Sequence, residues 1–297
     1  MEVRVLKYFL AVAREESITG AADALHITQP TLSKQLMELE TELGKKLFIR
    51  GSRKITLTEE GVFLRKRAQE IVDLVEKTEA DFGEPDEMIS GVVHIGGGET
   101  DAMRMIARTV KGLREEYPQI RYYLYSGNAE DVMERLDKGL LDFGVLIDPS
   151  DIKKYDYLRL PAMDTWGLLM PKDCPLAACE AIHPEDLWNI PLICSRQNLV
   201  RNVLSGWIGS DAQKLNVIAN YNLIYNASLM VEEGVGYALT LDKLVNTGCN
   251  SRLTFRPLSP PLKAGLNIAW KKYQVFSKAS KIFLERLQEE IALMQEV

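Results

Sequence analysis

The residues of this chain best suited to chemistry sit in one short run, "ITQPTLSKQL", residues 27–36. Gln29, Thr31, Ser33, Lys34 and Gln35 crowd together, with Leu32 and Leu36 four apart behind them. A glutamine amide pairs bidentately with adenine, hydroxyls contact bases or phosphates, and a lysine meets guanine or phosphate. Such a row acts as a reader only if a rigid helix presents its first turn outward. Thr28 is placed as the N-cap of that helix. Pro30 then falls in the first turn, where a missing N–H costs nothing.

The flanking pattern supplies the support. Leu6, Phe9, Leu10 and Val12-Ala13 recur at helical spacing and predict a helix over about residues 3–15. Ser17 caps a short second helix carrying Ala21, Ala22 and Leu25, and His26-Ile27 make a turn. The third helix places Leu32, Leu36, Leu39 and Leu43 on one face and stops at Gly44. The last two helices form a helix-turn-helix, whose second member enters a major groove by its N-terminal turn. Two strand-like pieces in residues 47–58 flank Gly51-Ser52 and form a wing. Arg50, Arg53 and Lys54 at its tip are suited to phosphate or a minor groove.

From Thr58, with Glu59 and Glu60 favouring a helix start, a long pattern runs to Phe82. Leu64, Ala68, Ile71, Val75, Thr78 and Phe82 are spaced as a heptad seam, and the expected cover is the same helix of a second chain. Gly83, Glu84, Pro85 and Asp86 break the pattern. Beyond them strands and helices alternate, which predicts a parallel α/β sheet. Gly96, Gly97 and Gly98 are read as a turn after the strand Gly91–Ile95. The chain is expected to cross to a second subdomain near Leu160-Pro161.

Charge distribution agrees with an anionic partner at the start of the chain. The 297 residues carry a net charge of −6, yet residues 1–58 sum to +2. Residues 59–89 sum to −6 and the remainder to −2. Only the first segment is basic. The opening residues reach Arg14, Glu15 and Glu16 without a cleavage signal, and no run of about 18 apolar residues occurs, so a cytoplasmic protein with no membrane span is expected. The four cysteines (Cys174, Cys179, Cys194 and Cys249) contain no CxxC pair, and Cys174, Cys179 and His183 make a poor zinc set. His26, His94 and His183 lie far apart, and the glycine run lacks the GxGxxG frame, so an enzyme is not expected and neither a metal nor a cofactor is implied.

Residues 1–89 resemble the DNA-binding and linker segments of LysR-type transcriptional regulators. The resemblance is carried by "FLAVAREESITGAADALHITQPTLSKQLMELETELGKKLF", the following Arg50, and "LTEEG". "GLREEYPQIRYYLYSG", "LDKGLLDFGVLI", "DLWNIPLI" and "VEEGVGYAL" are similar to landmarks of the family's effector domain. The resemblance implies an α/β fold class: an N-terminal winged helix-turn-helix (1–58), a linker helix for dimerisation (59–87), and an effector-binding domain (88–297). That domain has two α/β subdomains resembling periplasmic binding proteins, about 88–161 with 267–297, and about 162–266.

Carried over by position, the family's DNA-reading residues are Gln29, Pro30, Thr31, Ser33 and Lys34, with Arg50 and Arg53 on the wing. Pro30 would act through backbone shape. The effector cleft falls on Gly98, Glu99, Thr100, Ser126 and Asn128 from one subdomain and Ser195, Arg196, Gln197 and Asn226 from the other. Helix N-termini there suit a carboxylate or phosphate. Glu99 and Asp101 argue against a simple dicarboxylate, and Arg196 as the clear cleft cation leaves a monoanion or a zwitterion. The implied function is operator binding modulated by a small-molecule effector, with double-stranded DNA and further copies of the chain, as dimer or tetramer, as partners. A solute-binding protein with a helical head and a thiol-based redox regulator are the alternatives.

Overall fold

The computed structural model describes residues 1–51, 54–82 and 89–295, which divide into two compact units, 1–83 and 84–297. In the first unit α1 (Val3–Glu15), α2 (Ile18–Ala24) and α3 (Gln29–Leu43) are followed by the antiparallel pair β1 (Phe48–Arg50) and β2 (Ile55–Leu57), then by α4 (Glu59–Phe82). The caps are local side-chain chemistry. Ser17 Oγ accepts from the Gly20 N–H at 3.2 Å, and Thr28 Oγ1 accepts from Thr31 at 3.4 Å. Gly44 closes α3 in the left-handed region at φ 63°. Leu32, Leu36 and Leu39 are buried in a core with Leu6, Phe9 and Val12. Leu43, expected on the same face, is exposed at the last residue of α3.

The seam of α4 is corrected by the same core. Leu64 and Ala68 are buried beside Val5, Leu6, Phe9 and Val12 of their own chain, joined by Val72 and half-buried Ile71. Lys7 of α1 pairs with Glu76 of α4 at 2.8 Å along the same contact. The heptad spacing therefore records an intrachain neighbour, α1, for its first half. Val75 is half-buried and Thr78 exposed, its hydroxyl donating to the Leu74 carbonyl at 2.8 Å; the side chain of Phe82 and residues Gly83, Glu84, Pro85 and Asp86 lie outside the described residues. Phe63 and Leu74, eleven residues apart and so three turns on, are exposed on one side of α4, and Val62 is exposed beside the wing.

The second unit contains β3 (Gly91–Gly97), α5 (Met103–Glu116), β4 (Ile120–Ser126), α6 (Ala129–Asp137), β5 (Phe143–Ile147) and β6 (Tyr155–Pro171). It continues with β7 (Pro191–Ser195), α7 (Asn198–Ile208), β8 (Asn216–Tyr221), α8 (Ile224–Glu232), β9 (Tyr237–Leu241), β10 (Leu253–Pro257), β11 (Lys263–Lys271) and α9 (Lys278–Gln295). The strands run in the order β4-β3-β5-β11-β6-β9-β7-β8, with β10 also on β6. The sheet is mixed, not parallel throughout: β4-β3-β5 and β8-β7-β9 are parallel, while β11 and β6 are antiparallel to their neighbours. Two returning strands are what a chain needs to cross between lobes and come back.

The crossing itself is strand. β6 buries Leu160 in one core with Val93, Ile106, Phe143 and, from α9, Phe283 and Leu287, and its later residues Trp166, Leu168 and Met170 in another with Leu192, Leu204 and Leu239. β11 does the same in reverse, with Ala264 in the second core and Leu266 and Ile268 in the first. The glycine run is corrected too. Gly96 and Gly97 belong to β3, because α6 and the segment after it lie against the strand backbone. A Cβ on Gly96 would stand 2.4 Å from Leu141 Cδ1 and 3.2 Å from Val132 Cγ1.

Candidate nucleic-acid interface and effector cleft

The first turn of α3 faces outward. Gln29, Pro30, Thr31 and Lys34 are exposed and Ser33 is half-buried, with Leu32 fully buried beneath them. Thr31 shares a 2.8 Å hydroxyl contact with the capping Thr28, which holds its side chain near the helix start. Lys34 lies a loose 3.9 Å from Glu38, so its ammonium stays available to an anion.

The wing is strapped to the recognition helix by one carboxylate. Glu40 of α3 accepts from the Leu47 N–H at 2.8 Å and the Phe48 N–H at 3.4 Å, and pairs with Lys46 at 2.8 Å. Burial pushes this carboxyl up, but the hydrogen bonds from Lys46, Leu47 and Phe48 together outweigh it and hold it below the usual carboxylate range. On the other side Thr58 caps α4 by accepting from the Gly61 N–H at 2.9 Å, while its hydroxyl donates to the Lys46 carbonyl at 2.7 Å. Of the expected wing cations, Lys54 is paired with Glu16 at 3.0 Å. Arg53 and the side chain of Arg50 lie outside the described residues.

In the second unit a cleft open to solvent lies where β3, β5, β7 and β9 end. It brings together Gly98, Glu99, Asn128, Ser195 and Gln197 of the expected residues. The others stand apart. Thr100 is buried behind the cleft, donating its hydroxyl to Asp164 Oδ2 at 2.6 Å. Ser126 and Asn226 are exposed and do not line it. Arg196 is exposed too, its guanidinium 3.9 Å from Asp131 rather than in the cleft, which removes the expected cation from the lining. Sequence reasoning missed Asp148, Trp166, Leu223, Ile224 and Thr240. Asp148 and Thr240 could have been found from the rule that ligands meet the carboxyl ends of parallel strands, here those of β5 and β9.

Several polar groups in and beside the cleft are held by specific partners. Asn128 Oδ1 caps α6 by accepting from the Asp131 N–H at 3.0 Å, and Ser195 Oγ accepts from Gln197 at 3.3 Å. Asp148 is bound on both oxygens, by the Arg159 guanidinium and, at 3.0 Å, by Asn267 Nδ2. The Glu99 carboxylate accepts from the backbone N–H of Ile224, across the cleft at the start of α8. Burial pushes the Asp164 carboxyl up; the Thr100 hydroxyl opposes this, and the nearby Asp242 and Asp101 add to it. The four cysteines form no disulfide, and Cys194 is buried in the core of the second subdomain.

A helix-turn-helix with a strapped wing, followed by a two-lobed domain with a cleft at its strand ends, defines a ligand-responsive DNA-binding protein. Residues 3–62 match the family model for bacterial regulatory helix-turn-helix proteins of the lysR family, and residues 86–292 match that for the LysR substrate binding domain. The chain belongs to the LysR family of transcriptional regulators. Similar relatives include an uncharacterized HTH-type transcriptional regulator, YvbU of Bacillus subtilis, 27% identical over 97% of this chain and 98% of that one. A probable RuBisCO transcriptional regulator of Porphyra purpurea is 28% identical over 80% of this chain and 76% of its own. Among solved structures, full-length CbnR in complex with its target DNA has the same fold at a TM-score of 0.77 and 18% identity, covering 97% of this chain and 99% of CbnR. Among the described residues no helix is long and apolar enough to cross a membrane.

Proposed function

We propose that Gln29, Thr31, Ser33 and Lys34, with Pro30 setting the backbone path, read an operator, while Arg50, Arg53 and Lys54 of the wing hold its phosphates. The observation that carries this is the exposed polar turn of α3 standing on a fully buried Leu32, with the wing fastened to the same helix by Glu40. The chain works in the cytoplasm as a homodimer or homotetramer, and residues 1–58, 59–87 and 88–297 are its DNA-binding, linker and effector-binding parts. Because α1 already covers Leu64 and Ala68, pairing of linker helices uses the outer residues Phe63 and Leu74. A small molecule in the cleft changes the angle between the lobes joined by β6 and β11, and so the spacing of paired recognition helices. The cleft is lined by amides, hydroxyls, carboxylates and apolar side chains, a set that binds rather than reacts.

The test is fluorescence anisotropy of the full chain on duplexes selected from a random library. Gln29→Ala is expected to relax preference at one or two base pairs by about tenfold. Lys34→Ala is expected to weaken all duplexes alike and lower the slope of log affinity against log salt by about one. Unchanged binding in both variants removes α3 from the DNA.

A further inference from the structure

We propose that Glu99 is a built-in occupant of the cleft's anion position, and that the effector this leaves room for is a small protonated amine with an apolar body and a neutral hydrogen-bond acceptor. This rests on reading the cleft as the effector site and goes beyond it by naming the ligand's charge and polar ends.

The start of α8 is the natural seat for an acid, since a nine-residue helix presents free N–H groups there. Its N-cap position is Leu223, which offers no capping side chain. The missing cap comes from the other lobe: Glu99 accepts from Ile224, 125 positions away in the chain. A ligand carboxylate would have to displace this carboxylate or lie beside it. The described lining residues include no lysine, arginine or histidine, and because Asp148 is already paired with Arg159, the charge left facing the cleft is that of Glu99. Arg196, which would have reversed that balance, faces Asp131. A cationic head is therefore favoured by the field of the cleft, and the Glu99 oxygen not engaged by Ile224 is the acceptor it meets.

An independent observation fixes the other polar end. Asn128 is 1% exposed and lines the cleft. Its Oδ1 is committed to the Asp131 N–H, which settles the orientation of the amide and leaves Nδ2 as a buried donor without a partner. A buried donor in a ligand cleft calls for an acceptor from the ligand. Ile147, Trp166 and Leu241 supply the apolar walls between these ends.

A matched set of probes sharing one isobutyl body tests the proposal on the full chain: leucinamide (ammonium and carbonyl), leucine (zwitterion) and 4-methylpentanoate (carboxylate only). Binding is read at millimolar concentrations by intrinsic tryptophan fluorescence, to which Trp166 of the cleft wall contributes, and by thermal shift. Leucinamide is expected to bind at least about tenfold more tightly than 4-methylpentanoate, the effect of a single charge-assisted hydrogen bond. Glu99→Gln, which keeps an acceptor for Ile224 but removes the charge, is expected to erase that preference. Equal or tighter binding of the carboxylate by the wild-type chain overturns the proposal while leaving the cleft as the effector site. A preference for the amine that survives Glu99→Gln overturns it as well, because the cation then sits elsewhere. Failure of all three probes to bind up to tens of millimolar removes both the proposal and the reading it rests on.

Discussion

Adding one methyl group at Gly61 sets two magnitudes of opposite sign against each other. Gly61 lies in the first turn of α4, where replacing glycine by alanine ordinarily stabilises a helix by about 1 kcal/mol. Here the new Cβ would stand 2.1 Å from the Leu47 carbonyl oxygen, 3.1 Å from its carbon and 3.0 Å from Leu57 Cδ2. The obstacle is backbone, so no side-chain rotation relieves it. The Leu47 peptide is also held from both sides, its N–H donating to Glu40 at 2.8 Å and its carbonyl accepting from Thr58 at 3.0 Å. Making room requires a shift of about 1 Å, which breaks the Thr58 contact; overpacking of this kind costs about 1–3 kcal/mol. The net expectation for Gly61→Ala is destabilisation of the wing by up to about 2 kcal/mol despite the better helix propensity. All four tryptophans, Trp166, Trp188, Trp207 and Trp270, lie in the second unit, so intrinsic fluorescence is blind to this change. Hydrogen exchange of peptides covering residues 44–62 is the suitable assay, with amides of Leu47 and Thr58 expected to exchange about tenfold faster. Operator affinity should fall alongside. Unchanged or slower exchange in Gly61→Ala would show that the α4–wing contact has slack the geometry denies.

Two further expectations follow from the half-buried carboxylate of Glu40 and the buried one of Asp164. Glu40 titrates below its ordinary value in the folded chain, so its contribution is present above the unfolded value and is lost as pH falls through the folded one. Wing protection in hydrogen exchange should therefore drop in acid below about pH 4, whereas Glu40→Gln should be weaker at neutral pH, by about 1 kcal/mol, and flat with pH. A wild-type profile as flat as that of the variant speaks against the strap. Asp164 titrates in the opposite sense: held above its ordinary value, it favours the folded chain at low pH and opposes it as pH rises through the folded value. Asp164→Asn keeps an acceptor for Thr100 without the charge, so its melting temperature should exceed the wild type's at pH 8 and converge with it near pH 4. A constant difference across that range would assign the effect to packing.

Local chemistry is what the linear chain displays. Ser17, Thr28, Thr58 and Asn128 are caps whose partners lie three residues on, and Gly44 ends α3 by its own left-handed backbone. Such interactions are decided within one turn, so residue order suffices to place them, and with them the recognition turn of α3. The apolar spacing of α4 was equally visible but ambiguous, because a seam records that a neighbour exists and not which chain supplies it; α1 proved to be the neighbour of Leu64 and Ala68. The cleft required the fold. Asp148, Trp166 and Thr240 reach it only because β5, β6 and β9 end or cross there, and Arg196, one residue past buried Ser195, turns away to Asp131. The contact of Glu99 with Ile224 spans 125 positions, and its meaning depends on charge and distance across the cleft. Residue order determined which helices form and which of their turns are polar. Only the crossing strands decided which charges share the cleft, because electrostatic complementarity is a property of positions in space.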